Sequence, residues 1–205
     1  MSSALALASV TAVLKTLLEN GLADRGVTSE IGSDATVSAL PPDRVTSGAD
    51  EHAQLNLFLY HVTPHTGLRN GGAAGGNGGS GGNGARTLAL DLHYLLTAYG
   101  AQDLQTEILL GHALQLLHER PVVERESIRA TLEAVSHSRD RRVVAPTLAA
   151  LAASDVADRV ERLKIEPEFL NADEMSKLWS ALQAKYRPSA TYKVSAVIID
   201  GGPAA

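Results

Sequence analysis

Two stretches decide the fold: Leu55-Asn56-Leu57-Phe58-Leu59-Tyr60-His61-Val62 and Leu88-Ala89-Leu90-Asp91-Leu92-His93-Tyr94-Leu95-Leu96. In an extended chain Leu55, Leu57 and Leu59 share one side, opposite Asn56, Phe58, Tyr60 and Val62. Likewise Leu88, Leu90, Leu92, Tyr94 and Leu96 oppose Ala89, Asp91, His93 and Leu95. Period-two alternation in residue types that favour extended backbone predicts two long strands. Both faces of the first carry apolar groups, so it is expected to be central in its sheet. Nine of the chain's 18 glycines fall within residues 71–84, between the two strands. The glycine excess therefore belongs to one connection. A flexible 14-residue tract spans ~20 Å from end to end, enough to close a hairpin without strain. A hairpin with a flexible glycine-rich loop at 71–84 is the expectation.

Upstream, Ala6, Val10, Val13, Leu14 and Leu17 follow the spacing of one helical face, with Ser3 as a cap and Asn20-Gly21 as a stop. Residues 26–31 alternate like a short strand, and Leu40-Pro41-Pro42-Asp43 reads as a loop. Downstream, Asp103 can cap a helix with Leu104, Ile108, Leu109, His112 and Leu116 along its apolar stripe, ended by Pro121. Ile128, Leu132 and Val135 predict another helix, and the Ala-rich 146–154 a mobile connection. Ser154 can open a further short helical turn holding Val156 and Val160. A strand over 163–169 is expected to be interrupted by Pro167. Asn171 and Glu174 then form a capping-box start. In the helix they open, Met175, Leu178, Trp179 and Leu182 share a face, so Trp179 points into the core. After Arg187-Pro188 the final strand is expected over 192–199. Interleaved strands and helices predict an α/β or α+β fold, a mixed or antiparallel sheet flanked by helices, with residues 1–205 as one domain.

The chain has 205 residues, 18 Lys and Arg against 23 Asp and Glu, and a formal charge of −5. That balance argues against a general polyanion binder, so no nucleic-acid partner is expected. Cysteine is absent, which excludes disulfides, thiolate metal sites and cysteine nucleophiles. No segment reaches the ~18 uninterrupted apolar residues that span a bilayer. The apolar start lacks a basic leader and carries Lys15, so cytoplasmic assembly is expected.

The motifs that carry chemistry fail on context. Gly78-Gly79-Ser80-Gly81-Gly82 matches the nucleophile-elbow pattern, which needs a tight strand-to-helix turn. Gly76-Asn77-Gly78-Gly79-Ser80-Gly81 matches a dinucleotide fingerprint, but the next predicted element is a strand rather than a helix whose amides could meet a pyrophosphate. His61 and His65 flank Thr63-Pro64, so they cannot share a helical face, and on a strand they stand ~13 Å apart. Asp91 and His93 share a strand face ~6–7 Å apart by the same rise. They are the one defensible site for an alternative reading, a small-ligand module or enzyme. Arg139-Asp140-Arg141-Arg142 lacks the interleaved aromatics of a nucleic-acid surface. No catalytic, cofactor-binding or metal residues are assigned, no cofactor is expected, and the class is structural rather than enzymatic.

Several blocks in order carry a resemblance: residues 4–18, the run Leu55-Asn56-Leu57-Phe58-Leu59-Tyr60-His61-Val62-Thr63-Pro64, Leu68-Arg69-Asn70, residues 88–100, Glu107-Ile108-Leu109-Leu110-Gly111, Ser176-Lys177-Leu178-Trp179-Ser180-Ala181-Leu182 and Tyr186-Arg187-Pro188-Ser189. The chain resembles the tail-terminator, or cap, proteins of phage-tail-like contractile injection systems. The resemblance implies a homo-hexameric ring that closes the inner tube, contacts the last sheath layer and fixes tail length. Its partners would be copies of itself, the inner tube protein and the sheath protein, in a particle that can be released. Arg69 and Asn70 at the hairpin tip, with Tyr186 and Arg187 at a helix end, are the candidate interface residues, because aromatic and arginine side chains are enriched at interfaces. The glycine tract departs from the family pattern and is expected to pack only against tube or sheath. The strand near the carboxy terminus, 193–199, is expected at a sheet edge open to an added strand.

Overall fold

A computed structural model describes residues 5–66, 87–136, 145–152, 160 and 162–200. Among the described residues six α-helices, α1 (Ala6–Asp24), α2 (Val27–Ile31), α3 (Gln105–Glu119), α4 (Arg125–Ser136), α5 (Ala145–Ala152) and α6 (Ala172–Ala181), accompany six strands. The strands are β1 (Thr36–Ser38), β2 (Gln54–Pro64), β3 (Thr87–Tyr99), β4 (Val122–Glu124), β5 (Arg162–Glu168) and β6 (Ser189–Asp200). They form one sheet in the order β1-β2-β3-β6-β5-β4. Only β1 and β2 run parallel; the other neighbours are antiparallel. The fold is a single α+β domain with a mixed sheet.

The β2–β3 hairpin follows the alternation, with Leu57 opposite Leu96 and Phe58 opposite Leu95. A bulge between Leu59 and His61 shifts the register, re-aiming the outer half of β2. That strand is less central than expected, since β1 pairs only with Gln54, Leu55 and Asn56. β3 and β6 are the middle of the sheet. Consequently the 193–199 edge is corrected: β6 lies between β3 and β5, and its backbone is paired on both sides at Thr191, Tyr192, Lys193 and Val194.

The two faces of β3 serve two cores. Leu90, Leu92, Tyr94 and Leu96 join the large cluster under α1, α3 and α4, whereas Leu95 on the other face packs with Met175 and Trp179 of α6. Burying roughly 25 cal/mol per Å² of apolar surface makes the larger cluster the main source of stability. The Tyr94 hydroxyl is satisfied there by Thr11 Oγ1 at 2.9 Å.

Several local readings are overturned by packing. α1 runs through Asn20-Gly21 to Asp24, because Gly21 serves helix contact rather than termination. A Cβ at Gly21 would lie 2.5 Å from Leu116 Cδ2, so any larger residue there must displace the buried Leu116 side chain where α1 meets α3. Gly21→Val is therefore expected to lower stability by about 1–3 kcal/mol through overpacking, read as a fall in urea midpoint. Residues 27–31 form a helix rather than a strand. Gly26 and Gly32 bracket it with φ of 65° and 69°, and Val27 and Ile31, one turn apart, are both buried. Leu104, with φ 65°, occupies the cap of α3 in place of Asp103 and is exposed rather than part of its apolar stripe. The Ala-rich 145–152 is a helix packed against α4, as alanine and leucine favour.

Pro167 does not interrupt β5; it pairs with Tyr192 in register. Ile165 N–H points away from β6, donating to the Pro121 carbonyl at 2.7 Å. Two residues on, the ring nitrogen faces the same way, past the end of β4, so no ladder bond is lost. The Asn171–Glu174 capping box forms as read, with Asn171 Oδ1 accepting from Asp173 N and Glu174 N. Ser3, the glycine tract, Arg139 to Arg142, and Ser154 with Val156 lie outside the described residues.

Candidate functional site

Two polar groupings stand out. The first lies where the loop before β2, the end of β3 and the α6–β6 connection meet. Arg187 forks onto Glu51, Nη1 to Oε1 and Nη2 to Oε2 at 2.7 Å each, and its guanidinium carbon sits 4.6 Å from the centre of the Tyr99 ring. Bidentate pairing of this kind is the strong form of an ion pair. Glu51 Oε1 also accepts from Gly100 N–H at 3.0 Å. The Glu51 side chain is only 8% exposed and that of Arg187 21%. Burial alone would raise the Glu51 pKa, but the Arg187 hydrogen bonds and charge and the Gly100 N–H outweigh it and hold the carboxyl below its usual 4.5.

Next to this clamp, Tyr186 is 64% exposed while one side of its ring meets Trp179, centroids 5.9 Å apart. Thus the structure brings Tyr186 and Arg187 to one corner, the first facing solvent and the second tied to Glu51. Arg69 and Asn70 lie outside the described residues. Glu51 was missed by sequence reading because its partner is 136 residues away and no local spacing links them.

The second grouping contains the alternative site. Asp91 and His93 share the face of β3 opposite the main core, but they do not pair with each other. Asp91 Oδ1 meets His65 Nδ1 at 2.8 Å. His93 Nδ1 meets Glu168 Oε2 at 2.9 Å and its Nε2 meets Thr63 Oγ1 at 2.8 Å. Tyr60 donates to the same Glu168 oxygen at 3.2 Å; burial first, then the Glu168 charge, pushes its phenol pKa upward. His61 lies beside His93, ring centroids 5.4 Å apart. Both nitrogens of His93 are thus committed to protein partners, leaving neither aimed at a substrate. Among the described residues no group of three or more His, Asp or Glu side chains is arranged to hold a metal ion. No helix among them is long and apolar enough to cross a membrane.

Comparison with known proteins gives a consistent picture. The sequence pattern described as the Pvc16 N-terminal domain matches residues 9–205. No curated protein matches the chain significantly. Among solved structures the chain is similar to the sheath/tube terminator, in the extended state, of PVC, an extracellular contractile injection system. The TM-score is 0.52 at 15% identity over 95% of this chain and 56% of that one. It also matches the tube-terminating cap of the anti-feeding prophage, with a TM-score of 0.47 at 17% identity over 91% of this chain and 55% of that one. The chain spans about half the length of these solved chains.

Proposed function

The chain belongs to the Pvc16 N-terminal domain family, and from that premise we propose that it is a structural cap of a contractile injection system. In this reading it closes the end of the inner tube, meets the last sheath layer and fixes particle length. It does so as a hexameric ring built in the cytoplasm, and performs no catalysis. The observation that carries the reading is the fold itself, which parallels a solved sheath/tube terminator along nearly the whole chain. Six-fold tube layers are ended most simply by a ring of the same symmetry, because contacts that close around the axis leave no edge for further growth.

The alternative, a ligand module at Asp91 and His93, is disfavoured by the separate pairing of those two side chains. Arg69, Asn70, Tyr186 and Arg187 are proposed to lie at contacts with neighbouring copies, tube or sheath. Tyr186 would supply the contacting ring, with Arg187 holding the connection that presents it.

Electron microscopy of particles assembled with and without the protein tests the proposal. The tagged chain is expected at one particle end, in six copies, and its removal is expected to broaden the distribution of tube lengths. Particles of normal, uniform length formed in its absence would refute the reading.

A further inference from the structure

The outer strands of the sheet, β1 and β4, are three residues long each, so its rim continues along parts of β2 and β5 that they do not reach. A free strand edge offers unpaired N–H and C=O groups to any other extended chain. β1 accompanies β2 only as far as Asn56. Beyond that point the bulge between Leu59 and His61 bends the strand, and Pro64 ends it. β4 accompanies β5 only from Arg162 to Lys164, and the Ile165 N–H bond to the Pro121 carbonyl is the last on that side. Glu166, Pro167 and Glu168 follow with no strand beside them among the described residues.

This stretch of β5 is the part of the rim best shaped to receive a second chain. It runs in unbroken register with β6 from Lys164 to Glu168, without the bend that protects β2. A cavity of about 270 Å³ lies beside it, with Leu114, Pro167, Phe169 and Tyr192 in its walls. Leu114 is 37% exposed and Phe169 90%, so an added strand would find both room and apolar surface. Charge is a common protection of such edges, but here it is engaged within the chain. Glu166 meets Lys164 at 2.7 Å and Lys193 at 3.5 Å, and Glu168 meets His93 and Tyr60. Backbone N–H groups alternate in direction along a strand, so position 167 faces outward like Ile165, while Glu166 and Glu168 face β6. The single outward donor of the stretch would therefore come from residue 167, and proline has none.

We propose that Pro167 keeps copies of this chain from joining to one another through β5. Two such edges, brought together antiparallel about a twofold axis, would centre on residue 167, with each N–H donating to the carbonyl of the other copy. No different partner is needed, because the same edge supplies both halves of an isologous contact. Proline removes both donors and sets its ring between the strands. Copies are thereby left to meet through side-chain surfaces elsewhere, and the sheet ends within each chain whether or not the chain caps a tube.

Pro167→Val restores the donor without breaking a native hydrogen bond, and valine suits a strand. Pro167→Thr restores it with a more polar side chain. Both variants are expected to keep the circular dichroism of the parent. In sedimentation velocity across a dilution series, both are expected to form species larger than the parent at concentrations at least about tenfold lower than the parent requires, since each copy gains a bond. Hydrogen exchange of those species is expected to show added protection in the peptide spanning β5. Pro167→Asp restores the donor too, but it sets like charges opposite each other across the twofold and is expected to sediment as the parent does.

Val and Thr variants that both sediment like the parent would overturn the proposal. So would an Asp variant that associates as strongly as they do, or association without added protection in β5. Loss of the parental circular dichroism in both the Val and Thr variants overturns it as well, because Pro167 would then hold the fold rather than guard its edge. None of these outcomes bears on where the protein sits in a particle or whether tube length depends on it, which decide the cap reading.

Discussion

Trp179→Ala is expected to lower unfolding free energy by about 3–5 kcal/mol, the range for truncating a large buried aromatic. Trp179 is 2% exposed and packs with Leu95 and Met175 in the smaller core, while its ring also meets Tyr186. The indole N–H reaches Ser189 Oγ at 3.4 Å, a long bond whose loss adds little. Among the described residues no other helix contributes a buried residue to that cluster, so α6 would lose its principal attachment to the sheet. Urea unfolding followed by circular dichroism should show a lower midpoint with an unchanged slope. A fall below about 1 kcal/mol would mean that α6 unfolds separately from the rest, because typical domains have only 5–15 kcal/mol to lose.

Arg187→Ala is expected to cost about 2–4 kcal/mol, because it leaves the Glu51 carboxylate shielded from water with its main counter-charge removed. Replacing both partners, as in Glu51→Gln with Arg187→Met, is expected to be milder than the single change, since no uncompensated charge remains. The same pair sets a pH dependence. The folded carboxyl titrates below its ordinary 4.5, so its contribution is complete above that value and fades as pH drops through the lower folded one. As pH falls below about 4.5, the native protein should lose more stability than Glu51→Gln does. Parallel pH profiles for the two would remove Glu51 from the explanation.

Much of the architecture was legible in the residues. The hairpin of β2 and β3, the capping box at Asn171, the inward Trp179 and the final strand all rest on short-range patterns, and each formed as read. The errors share a cause. Gly21 reads as a stop from its neighbours, yet it is there for Leu116, 95 positions away. Val27 and Ile31 alternate on paper, yet the positive φ angles of Gly26 and Gly32 and the burial of both side chains make a helical turn. Pro167 reads as a break, yet its nitrogen faces the one direction in which no strand continues. Of the candidate residues, Tyr186 and Arg187 were proposed from type and position, and the Glu51 partner that fixes Arg187 carried no signal.

What the sequence determined alone was the set of elements governed by periodicity and caps, together with the exclusion of disulfides and thiolate sites that a cysteine-free chain enforces. Tertiary structure alone decided the strand order that puts β6 inside the sheet, the separate partners of Asp91 and His93, and the Arg187–Glu51 clamp. The physical reason is range. Alternation, helical stripes and capping act within a few residues, whereas sheet order and ion pairing are settled between groups far apart in the chain, where burial and charge choose among partners that local spacing cannot rank.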